Sequence, residues 1–502
     1  MVARTLMVQG TASSVGKSAL VTALCRIFRQ DGLRVAPFKS QNMALNSAVT
    51  VDGGEIGRAQ AEQAAAAGIE PTVDMNPILL KPEGEMRSQV VVRGRPWATL
   101  SAWEYQQRKA ELLGVVAESL ARLRAAYDLV IIEGAGSPAE INLKADEIVN
   151  MRVAALADAP VLLVGDIDRG GVFASLLGTL ELLEPDERAR IAGLVINKFR
   201  GDRRLLQPGL EVLEARTGKP VLGVIPYLPN IGLAEEDSAT LEDRPAAAAD
   251  GRVEIAVIRL PRLSNYDDFD PLAAEAAVRF VDQPRHLGEP DLIIVPGTKS
   301  TAADLAWLRA SGLAAAIVEH VERGVPLLGI CGGYQMLGRQ ILDPDRVEAE
   351  ATTTPGLGLL DVVTEFLPEK QTVRVEGVVE GGAGPFAALQ GKRFRGYEIH
   401  HGRTRRGAEM SWLRLEQRSG HRVDDVDGAL RQDGLVAGCY IHGFFDADEL
   451  RAALLEALAR RRGRAVVSRP FSRQHAFDRL ADHVRRHLDL AALRRIIGLS
   501  SD

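Results

Sequence analysis

A chain of 502 residues exceeds what one hydrophobic core usually organises, so two domains are expected. Hydrophobic residues make up 46% and charged residues 25%, ordinary values for a globular protein, and no apolar run approaches the roughly 20 residues needed to cross a bilayer. The net charge of −6 and the lack of a Lys/Arg tract leave no basic footprint for nucleic acid, so small-molecule partners are expected, with neither nucleic acid nor membrane.

The first ten residues, MVARTLMVQG, lack the charged region, apolar stretch and cleavage site of a secretion signal. Residues 6–9 read as a strand running into a glycine turn, and 17–29 as the helix that follows. Residues 34–37, 129–132, 161–165, 191–196 and 221–225 read as further buried strands alternating with helical patterns, which predicts a parallel α/β sheet. Such sheets place ligands beyond the carboxyl ends of their strands.

The first of those ends carries Gly10-Thr11-Ala-Ser-Ser-Val15-Gly16-Lys17-Ser18. A glycine-rich loop between strand and helix cradles phosphates on its N–H groups; its lysine reaches the terminal phosphates and its serine ligates Mg²⁺. Gly10, Thr11, Val15, Gly16, Lys17 and Ser18 are therefore expected to bind ATP. Glu133 ends the 129–132 strand as a second expected ligand for Mg²⁺, with Asp166 and Asp168 as alternative acids. Lys39, ending the second strand, is placed to neutralise a transferring phosphoryl group. This loop is one residue longer than the standard form and resembles that of dethiobiotin synthetase and its amide-forming relatives. That resemblance makes Asn197 an adenine-reading residue.

Residues 241–252, with the run Pro-Ala-Ala-Ala-Ala-Asp-Gly-Arg, read as a linker between domains at 1–240 and 253–446. The second domain repeats the alternation, with strands at 253–259, 292–295 and 327–330 and a β-rich stretch over 362–413. Residues 447–502 form a helical tail expected to pack or to mediate assembly.

Leu327-Leu-Gly-Ile-Cys331-Gly332-Gly333-Tyr-Gln predicts a strand, a sharp turn and a helix with a thiol at the apex. Flanking glycines permit the elbow, and the helix N-terminus favours the thiolate that attacks. The N–H of Gly332 supplies part of an oxyanion hole, and Gly297, after another strand, is placed to supply the rest. The other two cysteines, Cys25 and Cys439, lack such an elbow and read as packing residues; three scattered cysteines fit a reducing cytoplasm.

The Cys331 segment resembles the class I glutaminases, and that resemblance makes His442 the base. Those enzymes usually carry a glutamate two residues after the histidine, where this chain has Phe444; Glu398 is one candidate replacement. The whole chain resembles the corrinoid amidases. The resemblance is carried by the phosphate loop, Lys39-Ser-Gln41-Asn42-Met-Ala-Leu-Asn46-Ser, Glu133-Gly-Ala-Gly-Ser-Pro-Ala-Glu-Ile-Asn142-Leu and Gly165-Asp-Ile-Asp-Arg169-Gly-Gly. Leu260-Pro-Arg-Leu-Ser-Asn265-Tyr-Asp-Asp-Phe-Asp, Pro296-Gly-Thr-Lys-Ser-Thr and Gly396-Tyr-Glu-Ile-His-His-Gly continue it. It implies glutamine- and ATP-dependent amidation of a corrinoid polycarboxylate, with Gln41, Asn42, Asn46, Asn142 and Arg169 facing the substrate. Relatives that amidate the a and c side chains carry a Gly-Pro-Asp-Tyr-type segment after the second-strand lysine. Ser40-Gln-Asn-Met stands here instead and favours the branch acting on the four remaining propionates. A cell-wall precursor amidase and a P-loop partitioning or regulatory ATPase are the alternatives, the latter leaving Cys331 and His442 without a use.

Overall fold

The computed structural model describes residues 2–84, 86–229, 251–464 and 471–499. They form two units drawn from interleaved stretches. One comprises residues up to 44, 55–229 and 472–499; the other comprises 45–54 and the described residues from 251 to 471. Most of the expected linker, 241–250, lies outside the described residues.

The first unit is organised by a six-stranded sheet in the order Val221–Pro226, Ile191–Phe199, Val161–Asp166, Arg4–Gly10, Leu129–Glu133, Val35–Phe38. Every pairing is parallel, and these strands are almost wholly buried, as strands covered on both faces are. The register sets Gly10 beside Val164 and Val8 beside Glu133, so the phosphate loop and Glu133 leave the same edge of the sheet. A smaller sheet, Gln41–Met43, Ile78–Gly84, Arg87–Val92 and Arg95–Ser101, has no counterpart in the sequence reading. It leads into the long Ala102–Ala126 helix, which Ser101 and Glu104 start with a reciprocal capping box.

The expected tail divides. Its Asp448–Arg462 helix packs in the second unit, where Arg451 is buried against Glu275. The Arg473–His487 and Leu490–Ile496 helices belong to the first unit. Phe477, Leu480, Ala481, Val484 and Leu493 join the core made by the Lys17–Gln30 helix, and Arg26–Asp478 and Arg494–Asp31 pairs rim that contact.

The second unit is built on an eleven-stranded mixed sheet. Its parallel half runs Ala277–Val281, Glu254–Ile258, Leu292–Val295, Leu327–Ile330, Val436–Cys439. Antiparallel strands His421–Leu430, Met410–Arg418, Val362–Val379 and Arg393–Arg406 continue it, so the β-rich stretch extends past residue 413. Ala277–Val281 is an edge strand with a half-buried middle, which weakens the apolar run by which buried strands are recognised. Among the described residues no single helix is long and apolar enough to cross a membrane.

Candidate active site

In the first unit the phosphate loop closes around a buried carboxylate. Gly16 has φ 98°, and a Cβ there would lie 2.1 Å from Asn197 Nδ2, so no other residue fits. Asn197 Nδ2 donates to the Val15 carbonyl at 2.9 Å and thereby braces the loop. Lys17 Nζ donates to the carbonyls of Ala12 and Gly136 at 2.9 and 3.2 Å, folding its ammonium over the loop's mouth. The Ser18 hydroxyl donates to Glu133 Oε1 at 2.8 Å, and Lys39 Nζ reaches the same oxygen at 2.9 Å. Gln63, on the Arg58–Ala67 helix, donates to the other oxygen at 2.5 Å. Glu133 is buried, and these three donors supply the charge and hydrogen bonds that a buried carboxylate requires.

The alternative acids are engaged elsewhere. Asp166 pairs with Lys198 at 2.9 Å and Asp168 with Arg200 at 2.7 Å. Lys198 also donates to the Ser14 carbonyl at 2.7 Å, so it too holds the loop. Gln63 and Lys198 escaped the sequence reading. One lies on an alanine-rich helix without a motif; the other follows the Asn197 already singled out.

Of the residues expected to face substrate, Gln41 accepts from the Tyr105 hydroxyl at 2.6 Å, while Asn42 is buried against Gln60 at 3.0 Å. Asn142 and Arg169 are exposed, on the segments that follow the Leu129–Glu133 and Val161–Asp166 strands. Asn46 departs from this set. It belongs to the second unit, is 1% exposed, and its Oδ1 faces the N–H of Tyr266. Asn46 is thus engaged within the second unit, whereas Gln41, Asn42, Asn142 and Arg169 all fall in the first.

In the second unit Cys331 stands between the Leu327–Ile330 strand and the Gly332–Leu337 helix, with φ 52° and ψ −110°. This positive φ on a non-glycine residue is the strained elbow that its flanking glycines predict. The helix after it packs so closely that a Cβ on Gly333 would fall 1.9 Å from the Val295 carbonyl oxygen. The Cys331 N–H is tied to the Cys439 carbonyl at 2.8 Å. Gly297 lies against His442: a Cβ there would sit 2.8 Å from the ring's Cε1. Tyr397 stacks on the imidazole at 5.4 Å and exchanges two backbone hydrogen bonds with His442.

The acid that orients this histidine is Asp268. Its Oδ2 lies 2.7 Å from His442 Nδ1, and its Oδ1 accepts from the Gly443 N–H at 2.8 Å. Burial alone would lower the imidazole's pKa. The facing Asp268 charge and its hydrogen bond, aided by a hydrogen bond with Cys331, outweigh that and raise it to about 10. With Nδ1 turned to Asp268, Nε2 is left for the thiol. Glu398 does not take this role: it is bound to Arg418 at 2.9 Å and approaches His400, not His442, at 3.8 Å. The sequence held a signal for Asp268, because three aspartates follow the Glu254–Ile258 strand within residues 267–270.

A thiol on an elbow with a histidine and aspartate behind it, and a phosphate loop closed on a buried Lys–Glu pair, together define a glutamine-dependent amide-forming enzyme. Residues 254–450 match the CobB/CobQ-like glutamine amidotransferase domain, and residues 6–241 match the CobQ/CobB/MinD/ParA nucleotide binding domain. The chain is 57% identical to cobyric acid synthase from Sorangium cellulosum (strain So ce56), with 99% of each chain covered. It is 54% identical to that of Dehalococcoides mccartyi (strain CBDB1), with 99% of each covered. For Pelotomaculum thermopropionicum (strain DSM 13744 / JCM 10971 / SI) the figure is 55%, over 99% of this chain and 97% of the relative. The chain belongs to the cobyric acid synthase family.

Proposed function

We propose that this enzyme amidates the b, d, e and g propionates of adenosylcobyrinic acid a,c-diamide to give adenosylcobyric acid, using ATP and glutamine. The observation that carries the reading is the near-full-length identity to cobyric acid synthases, with a nucleotide-binding and a glutamine amidotransferase domain matched on one chain. We place the reaction in the cytoplasm, where the three unpaired cysteines stay reduced.

A carboxylate is a poor electrophile, and ATP supplies the phosphoryl group that converts it to an acyl phosphate. Lys17 and Lys39 spread positive charge over that group as it moves, while the loop N–H groups hold the phosphates it leaves. Ser18 and Glu133 would hold Mg²⁺, their hydroxyl and carboxylate oxygens being the hard donors that cation takes. Such a cation would neutralise phosphate charge there. Gln41, Asn42, Asn142 and Arg169 are the polar groups assigned to the corrinoid side chains.

At the other centre the Cys331 sulfur adds to the carboxamide carbon of glutamine. The N–H groups of Gly332 and the Gly297 turn receive the developing oxyanion. His442, held by Asp268, passes a proton from Nε2 to the departing ammonia. The thioester left on Cys331 is then hydrolysed by a water that the imidazole deprotonates, releasing glutamate. The ammonia displaces phosphate from the acyl phosphate.

Mass measurement of the product from the a,c-diamide, ATP and glutamine tests the substrate. Four carboxyl-to-amide conversions are expected, each replacing a hydroxyl by an amino group. A product from cobyrinic acid that stopped at two amides would identify an a,c-diamide synthase instead.

A further inference from the structure

The stretch Leu45–Gly54 lies early in the sequence yet folds with the second unit. Its Ser47–Val49 strand and the residue before it touch neighbours of all three members of the thiol centre. The Ser47 N–H donates to Asn265 Oδ1 at 3.0 Å, and the Tyr266 N–H donates to Asn46 Oδ1 at 3.4 Å. Each asparagine thus accepts from the peptide that follows the other, a reciprocal clasp between two segments more than 200 residues apart. Both side chains are buried.

The clasp bears directly on Asp268. Asn265 sits at φ 53°, ψ 41°, the left-handed region that asparagine tolerates better than most residues, and opens the Tyr266–Phe269 turn. Its own carbonyl accepts from the Asp268 N–H at 3.1 Å. Further along the strand, Val49 packs with Tyr397 and Ile399, and its carbonyl takes a 2.7 Å bond from Arg374. Tyr397 is the residue stacked on His442, and the Ile399 carbonyl lies 3.6 Å from Cys331 Sγ.

We propose that Asn46 and Asn265 are positioning residues of the glutaminase centre: their clasp fixes the turn that aims Asp268 at His442, making glutamine hydrolysis depend on a segment threaded in from the synthetase half of the sequence. The inference rests on the assignment of Cys331, His442 and Asp268 above. Groups that orient a catalytic ligand from behind typically cost 10- to 100-fold in activity when removed.

The test is paired initial rates with glutamine and with an ammonium salt for Asn46→Ala, Asn265→Gly and Cys331→Ala in the full-length chain. Asn265→Gly deletes the side-chain acceptor while tolerating the positive φ, so it isolates the clasp from backbone strain. Both clasp variants should lower kcat for glutamine hydrolysis by about 10-fold or more with KM for glutamine within about 2-fold. Their ammonium-driven synthesis should stay near the wild-type rate. Unchanged glutamine kcat in both clasp variants, with Cys331→Ala inactive on glutamine, overturns the proposal and leaves the triad standing. Loss of the ammonium-driven rate alone in Asn46→Ala would return that residue to the substrate site and also overturn it. If Asn46→Ala loses both rates, Asn265→Gly decides: a selective glutamine defect upholds the clasp, and loss or retention of both rates refutes it. Glutamine turnover persisting in Cys331→Ala would instead refute the nucleophile on which the proposal rests.

Discussion

The aspartate behind His442 shows how a site can be complete while its sequence pattern is not. The proposed nucleophile was legible because strand, elbow and glycines are contiguous in sequence, and the proposed base because it follows a strand at the family's spacing. The third member comes from a turn 174 positions before His442, so only the fold could join them. Asp268→Asn should lower glutamine hydrolysis by about 10²- to 10⁴-fold while sparing ammonium-driven synthesis, because the imidazole loses both its orientation and its charge partner. A pH dependence follows with a definite sign. The folded pKa of His442 is raised above its ordinary 6.5 to about 10, so the stability it contributes is fully present below 6.5 and is lost as pH rises through about 10. The thermal midpoint of the wild type should therefore exceed that of Asp268→Asn most near pH 6.5, with the gap closing toward pH 10. A gap that widens with pH would show that the pair does not carry the stabilisation.

Glu133 and Lys39 make the matching case in the first unit. Each was legible singly, as a polar residue at the carboxyl end of a buried strand, but their 2.9 Å contact was not, since it depends on strand order. Glu133→Gln removes one charge of the buried Lys39–Glu133 pair, a change that typically costs about 3–5 kcal/mol. The first unit should melt earlier, ATP-dependent synthesis should demand more Mg²⁺, and glutamine hydrolysis should be unaffected. Equal melting and equal metal dependence would reduce Glu133 to a packing residue.

At the level of elements, the buried parallel strands of both units were the readable part, because a strand covered on both faces is written as an unbroken apolar run. What the runs could not reveal is which core an amphipathic helix joins. The helices at Arg473–His487 and Leu490–Ile496 have an evident apolar side, and sequence position alone leaves them as a tail behind the second domain. The structure seats them on the Lys17–Gln30 helix that begins at the phosphate loop. Phe477 is fully buried there, and Phe477→Ala should destabilise the first unit by about 3–5 kcal/mol, read as a shift in its thermal transition. ATP-dependent synthesis should fall at lower temperature than in the wild type, with glutamine hydrolysis keeping its own midpoint. If both activities failed together, the tail would be serving the second unit as well.

At the scale of the whole molecule, two chemistries occupy one chain whose units are interleaved in sequence, with residues 45–54 and 472–499 each folded away from their nearest sequence neighbours. Hydrophobic patterning marks how much core there is and not how it is shared, so this exchange left no trace in composition or periodicity. The two reaction centres nevertheless need different things. On the proposed mechanism the thiol serves only to release ammonia from glutamine and the phosphate loop only to activate a carboxylate, so added ammonium should replace the first without touching the second. Lys17→Ala should reduce amide formation by about 10²- to 10³-fold with either nitrogen source, since charge stabilisation of the moving phosphoryl group is lost, and should leave basal glutamine hydrolysis in place. Cys331→Ala should lose glutamine-driven synthesis and retain the ammonium-driven rate, and His442→Ala should follow it. Scored for glutamine hydrolysis and for ammonium-driven synthesis, Lys17→Ala should fail only in the second and the two thiol-centre variants only in the first. A Lys17→Ala enzyme that made amide at the wild-type rate from ammonium would remove the phosphate assignment. A folded Cys331→Ala enzyme that had lost the ammonium-driven rate would show that the thiol centre is required for carboxylate activation as well, and the division of labour between the two units would fail.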